Sequence, residues 1–182
     1  MEKAVYSGKF ITVTEEEING KVYERAHCVP GVHIIPITSE GKILLIREFR
    51  AHETPSERWK LVGGVHEPGK TLEEAALQEL REELKKSGTI TPYISVNRKG
   101  TFSEQTSIVL ATNLVDDPRP NPDGDVVLET KAFSLDEIYA KLLSGEFLWG
   151  GTMLALIRLR HEVETGKINL SSQVLEQPSN TP

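Results

Sequence analysis

The 182-residue chain contains one cysteine, Cys28. A single thiol excludes an intrachain disulfide framework and fits a reducing compartment. It reads as a small packing residue rather than a nucleophile. No apolar run reaches the roughly 18 residues that span a bilayer, and Met1 does not begin a signal peptide. A membrane partner is therefore not expected, and a cytoplasmic location is. Positive charge is also in short supply: 21 Lys and Arg stand against 27 Asp and Glu, a net charge of −6. That balance argues against nucleic acid as a partner, since such sites need clustered cations. It leaves room for a local cationic pocket that takes a small anion. The five histidines supply no zinc pair; no spacing among them, His27 to His33 included, matches two ligands on a helix. There is no internal repeat and no low-complexity segment.

What remains is a chain of ordinary globular composition, long enough for one domain with a substantial core. KFITVTEEEING and KVYERAHCV read as two strands around an Asn19-Gly20 turn, a strong hairpin signal. VHIIPIT and KILLIREF read as a second hairpin across Ser39-Glu40-Gly41. Pro30-Gly31 separates the two pairs, so residues 1–30 are expected as a β unit ahead of a main domain at 31–170. WKLVGGVHEPGK, with its glycine pair and Pro68-Gly69, reads as a loop. TSIVLATNLV and VVLETKAF read as strands, separated by the polar, proline-rich DDPRPNPDGD. A loop of that length in a compact domain is more often functional or mobile than accidental. SLDEIYAKLLSG and TMLALIRLRHEVETG are the closing helices, and residues 171–182 form a frayed polar tail.

A further helix starts at Thr71, with Glu74 three residues on completing a capping box, and is expected to run to about Lys86. At about 100° per residue, Ala76, Leu77, Leu80 and Leu84 form its core-facing arc. Glu79, Glu82 and Glu83 gather on the neighbouring arc, while Gln78, Arg81 and Lys85 take the far side with Glu74. Like charges one turn apart cost a few tenths of a kcal/mol per pair, so something should offset them. One answer is a solvated face partly neutralised by Lys86. The other is a divalent cation: Mg²⁺ takes hard oxygen ligands, commonly one or two carboxylates with waters and substrate phosphates.

GGVHEPGKTLEEAALQELREEL resembles the signature of the Nudix hydrolases. Counted from Gly64, the chain supplies Gly64, Glu79, Leu80, Glu82 and Glu83 at the signature's spacing. It departs from it at Lys70, where a Glu is expected, at Gln78, where an Arg is, and at Lys85, where a Gly is. The resemblance extends along most of the chain. VYSGKFITVTEEEINGKVYERAHCVPGVHIIPI, KILLIREFR, WKLVGG, GTFSEQTSIVLATNL and FSLDEIYAKLLSGEF are similar to the ADP-ribose pyrophosphatase branch.

The resemblance implies an α/β fold: a Nudix α/β/α sandwich with a mixed sheet and an amino-terminal β extension that builds a homodimer. It implies that Glu79, Glu82 and Glu83, with a carbonyl at Gly64, hold Mg²⁺ or alternatively Mn²⁺. Lys70 and Gln78 would lack the brace that the family's Glu and Arg provide, and the missing Gly at 85 would lengthen the helix by a turn, to Gly88. Arg47 and Arg50 are candidates for the substrate phosphates, since guanidinium matches phosphate in two-point contact. Asp123 and Asp125 lie where the branch keeps its catalytic acidic loop, and Glu104 is another acidic residue near the expected site. Tyr6, Phe10 and Phe49 are candidates to stack on a nucleobase; Trp59 and Trp149 read as core or dimer aromatics. The implied reaction is metal-dependent hydrolysis of a nucleoside diphosphate sugar, ADP-ribose first. A nucleoside diphosphate hexose, or a binding module that has lost turnover, are the alternatives.

Overall fold

The computed structural model describes residues 2–51, 53–118, 127–146 and 150–170. Among the described residues, ten strands and three helices follow in the order β1 (Lys3–Ser7), β2 (Ile11–Ile18), β3 (Lys21–Cys28), β4 (Gly31–Pro36), β5 (Ile43–Phe49), β6 (Glu57–Lys60), β7 (Val62–Val65), α1 (Leu72–Leu84), β8 (Lys86–Arg98), β9 (Phe102–Asp116), β10 (Val127–Phe133), α2 (Leu135–Leu143) and α3 (Gly150–Glu164). They build a seven-stranded mixed sheet, β1-β2-β3-β9-β4-β7 with β8 on the other edge of β9, and a three-stranded antiparallel sheet, β10-β5-β6. This is the expected α/β/α sandwich with a mixed sheet and an amino-terminal β extension.

The layering follows from strand periodicity, because side chains alternate between the two faces of a strand. Val32 and Ile34 of β4, with Leu44 and Ile46 of β5, pack against Ala75, Ala76, Leu80 and Leu84 of α1. Their neighbours Ile35, Ile37, Ile43 and Leu45 face the other way, toward Ile138 and Leu142 of α2 and Leu156 and Leu159 of α3. Both faces are covered, so these strands are nearly continuous in apolar residues.

The first hairpin forms as expected. Asn19 (φ 54°) and Gly20 (φ 75°) make a two-residue turn with both residues at positive φ. β1 adds a third strand to it, and β3 joins the main sheet by pairing Ala26 and His27 in parallel with Phe102 and Ser103 of β9. The second expected hairpin does not form as one. β4 pairs with β7 and β9, β5 with β6 and β10, and a single bridge, Ile37 to Ile43, links the two segments. The tight turn at Thr38–Lys42 therefore carries the chain from one sheet into the other. WKLVGG is not loop either; it supplies the ends of two strands, β6 and β7. β8, not among the expected strands, pairs along most of β9.

α1 begins at the expected capping box: Thr71 Oγ1 accepts from the Glu74 amide at 3.2 Å, and Glu74 Oε2 accepts from the Thr71 amide at 2.7 Å. It does not extend to Lys86 or Gly88. It ends at Leu84, and Lys85 adopts the left-handed cap conformation (φ 56°, ψ 39°). A non-glycine residue pays roughly 1 kcal/mol there, so the fold imposes the early stop that a glycine would have favoured. Cys28 is exposed rather than packed. No described helix is long and apolar enough to cross a membrane.

Candidate active site

A cleft of about 1180 Å³ opens between α1, the β7 end of the large sheet and the β5–β6 pair. Gly64, Glu79, Glu82, Arg50 and Glu104 all line it. The acidic wall is built by α1. Glu79 lies directly over Gly64: a Cβ added to Gly64 would stand 2.8 Å from the Glu79 carboxyl carbon. Only a residue without a side chain lets that carboxylate settle against the β7 backbone.

Glu83 points inward and is 3% exposed. Its Oε2 accepts from the Gly63 amide at 2.9 Å, and its Oε1 pairs with Lys60 Nζ at 3.0 Å. Burial pushes its carboxyl above the ordinary range, against the pull of Lys60 and the Gly63 amide.

Lys60 also meets Glu48 Oε2 at 3.0 Å and donates to the Gly63 carbonyl at 3.3 Å. Glu48, 9% exposed at its side chain, gathers Arg50 Nε at 2.7 Å and Arg58 at 3.4 Å as well. Burial raises the Glu48 carboxyl, but the charge of Lys60 and the contact with Arg50 outweigh it and hold it below its usual value.

Strand register explains this network. Leu44, Ile46 and Glu48 share the face of β5 that looks toward α1, and Ile46 and Glu48 stand opposite Lys60 and Arg58 of β6. Reading the sequence for motifs did not single out Glu48 or Lys60. The signal was present: a charged residue in phase with two apolar ones on a buried face requires a partner.

Arg47 lies on the opposite face of β5 from Glu48. It stands opposite Trp59, whose ring packs edge-on against Phe133 at 5.1 Å in the other core. Arg47 does not line the cleft; it pairs with Glu57 at 2.6 Å and Glu129 at 3.1 Å. Glu104 sits at the cleft and pairs with Arg98 at 3.4 Å. Asp123, Asp125 and Trp149 lie outside the described residues. Among the aromatic candidates, Phe10 and Phe49 line the cleft and Tyr6 does not.

Two of the three departures from the signature, Lys70 and Gln78, meet each other. Lys70 Nζ donates to Gln78 Oε1, and Gln78 Nε2 donates to Glu82 Oε1 at 2.9 Å. Gln78 thus belongs with the carboxylates and not on the far side of the helix. Lys70 also pairs with Glu67 at 2.5 Å, a contact that, ahead of the nearby Glu82 and Glu79, holds its ammonium above its usual range. A hydrogen bond from the Lys70 ammonium to an uncharged glutamine amide therefore spans the place where the family pattern has a glutamate and an arginine.

The donor set suits a hard cation in part. Glu79 and Glu82 line the cleft, and Mg²⁺ commonly binds through one or two carboxylates with the rest of its shell from water and phosphate. Glu83 is turned away to Lys60, and among the described residues no three His, Cys, Asp or Glu side chains converge as a ready metal cage.

The chain is 29% identical over 180 residues to an ADP-ribose pyrophosphatase of Bacillus subtilis (strain 168), covering 91% of this chain and 95% of that protein. A crystal structure of an ADP compounds hydrolase superposes with a TM-score of 0.76 at 24% identity, covering 91% of this chain and 93% of that one. The NUDIX domain family model matches residues 29–150, and the chain belongs to that family.

Proposed function

We propose that this protein hydrolyses the pyrophosphate bond of a nucleoside diphosphate sugar, with ADP-ribose as the substrate of choice, to a nucleoside monophosphate and a sugar phosphate. The observation that carries the reading is the meeting of Glu79, Glu82 and Gly64 on one wall of a cleft whose other side presents Arg50. Likeness to an ADP-ribose pyrophosphatase along nearly the whole chain supports the substrate class.

Glu79 and Glu82 would hold Mg²⁺, or Mn²⁺. Bound there, the ion would neutralise pyrophosphate oxygens and lower the pKa of a bound water. Arg50, steadied by Glu48, is placed to reach a phosphate oxygen without losing its orientation. Phe10 and Phe49 offer apolar rings for the nucleobase. A carboxylate must still position the attacking water; Glu104 lines the cleft, and Asp123 and Asp125 are the other candidates.

Exposed Val5, Tyr6 and Ile11 on the amino-terminal strands, with Phe10 between them, favour a homodimer built through residues 1–30. An acidic chain with one thiol fits a cytoplasmic enzyme.

The competing reading is a Nudix-fold binding module without turnover. The Lys70–Gln78–Glu82 chain of hydrogen bonds speaks against it, because the altered box is still braced. The test is release of phosphate from a panel of nucleotide sugars through a coupling phosphatase, with and without Mg²⁺. Metal-dependent turnover of ADP-ribose supports the proposal. Folded protein that turns over no member of the panel supports the binding module.

A further inference from the structure

The ammonium of Lys60 is enclosed by oxygen: Glu48 Oε2 and Glu83 Oε1 at 3.0 Å each, and the Gly63 carbonyl at 3.3 Å. Two nearly buried carboxylates and a backbone carbonyl around one cation is an environment a divalent metal would also suit. Here the cation is part of the chain. β6 carries it, and the pairing of Lys60 with Ile46 aims it at the α1 face of the β5–β6 pair. Both oxygens of Glu83 are engaged in this arrangement, Oε2 by the Gly63 amide and Oε1 by Lys60. Glu79 and Glu82, one turn earlier and beside it, line the open cleft instead.

We propose that Lys60 is a built-in cation of this site: it holds Glu83 and the Gly63 carbonyl permanently and leaves divalent metal to Glu79 and Glu82 alone. Lys60 is then a positioning residue that fixes how many divalent ions the site accepts. The inference rests on the metal-dependent reading above and narrows it. A tethered ammonium keeps its place at any Mg²⁺ concentration, whereas an ion bound there would be lost on dilution.

The test counts ions without turnover. Mn²⁺ is titrated into the full chain and free Mn²⁺ is read by electron paramagnetic resonance. The Lys60→Met chain is expected to bind one more Mn²⁺ than the wild type, and adding Glu83→Gln to it removes that ion. Lys60→Met also leaves two buried carboxylates facing each other, so its melting temperature is expected to rise more with Mn²⁺ than the wild type's does. Equal stoichiometry in the wild type and Lys60→Met overturns the inference alone. A wild type that binds no Mn²⁺ overturns the metal-dependent reading and the inference with it. If Lys60→Met does not fold, Glu83→Gln in the wild-type background decides. Unchanged stoichiometry supports Lys60 as the resident cation, and loss of one ion overturns it.

Discussion

A methyl group placed on Gly64 stands 2.8 Å from Cδ and Oε2 of Glu79, and nearer still to Oε1. The obstruction is the free end of a flexible side chain, so the Glu79 carboxylate retreats and the backbone stays. Gly64→Ala should cost less than about 1 kcal/mol of stability. The carboxylate has to move by roughly 1 Å, a misplacement that costs on the order of 100-fold in rate at a site built on positioning.

Its neighbour gives the opposite result. A methyl on Gly63 meets the Val32 carbonyl oxygen, with His33 Nδ1 at 2.7 Å and His33 Cα at 2.9 Å, at a φ of 155°. Backbone cannot step aside, and overpacking together with the strained φ should cost about 3 kcal/mol or more. For a chain of this size that is about 10 °C in melting temperature. The assay pairs a thermal melt with kcat/KM for ADP-ribose in Mg²⁺. Gly64→Ala at wild-type rate, or the two variants melting alike, would refute the seating of Glu79 on Gly64.

Three further outcomes follow from the same geometry. Burial and the nearby charge of Lys60 lower His33 to about 4. A depressed histidine stabilises the fold above its unfolded value near 6.5 and loses that contribution as pH falls toward 4, so denaturant melts should show about 2 kcal/mol less stability at pH 5 than at pH 7.5 from this group; a His33→Gln chain with the same decline contradicts it. Gln78→Arg alone sets a guanidinium against Lys70 and should lower kcat/KM by roughly 10-fold, while the double change Lys70→Glu with Gln78→Arg restores it; no recovery in the double variant counts against the brace. Arg47→Ala should leave kcat and KM unchanged and cost no more than about 1 kcal/mol in a melt, as partly exposed ion pairs do, while Arg50→Ala raises KM for ADP-ribose; the reverse pattern would return Arg47 to the site.

The helix with the carboxylates is legible in the sequence, because its capping box, apolar arc and Glu spacing are local. Glu79 and Glu82 at a glycine-lined cleft follow from that. The destination of β5 was not readable, since hairpin signals report chain proximity and not which sheet accepts a strand. Thr38–Lys42 turns the chain, yet Ile35 and Leu45 are needed by different sheets. The helix end was misjudged for a related reason: β8 must start at Lys86 to pair with Asp116, and tertiary pairing overrides the reluctance of Lys85 to adopt positive φ. Arg47 and Glu48 exchange roles relative to a motif reading because strand parity, which the motif does not encode, sends alternate residues to opposite faces. Lys60 was missed because its partners, Glu48 and Glu83, lie 12 and 23 positions away in the chain.

The central claim is that Glu79 makes this cleft a metal-dependent pyrophosphohydrolase. The most direct measurement is hydrolysis of ADP-ribose by the wild type and by Glu79→Gln, each with and without Mg²⁺, with folding checked by a melt. The account predicts turnover by the wild type only when Mg²⁺ is present, and a fall of at least about 1000-fold in Glu79→Gln, equivalent to roughly 4 kcal/mol of transition-state stabilisation. Hydrolysis that persists at the wild-type rate in folded Glu79→Gln would contradict it.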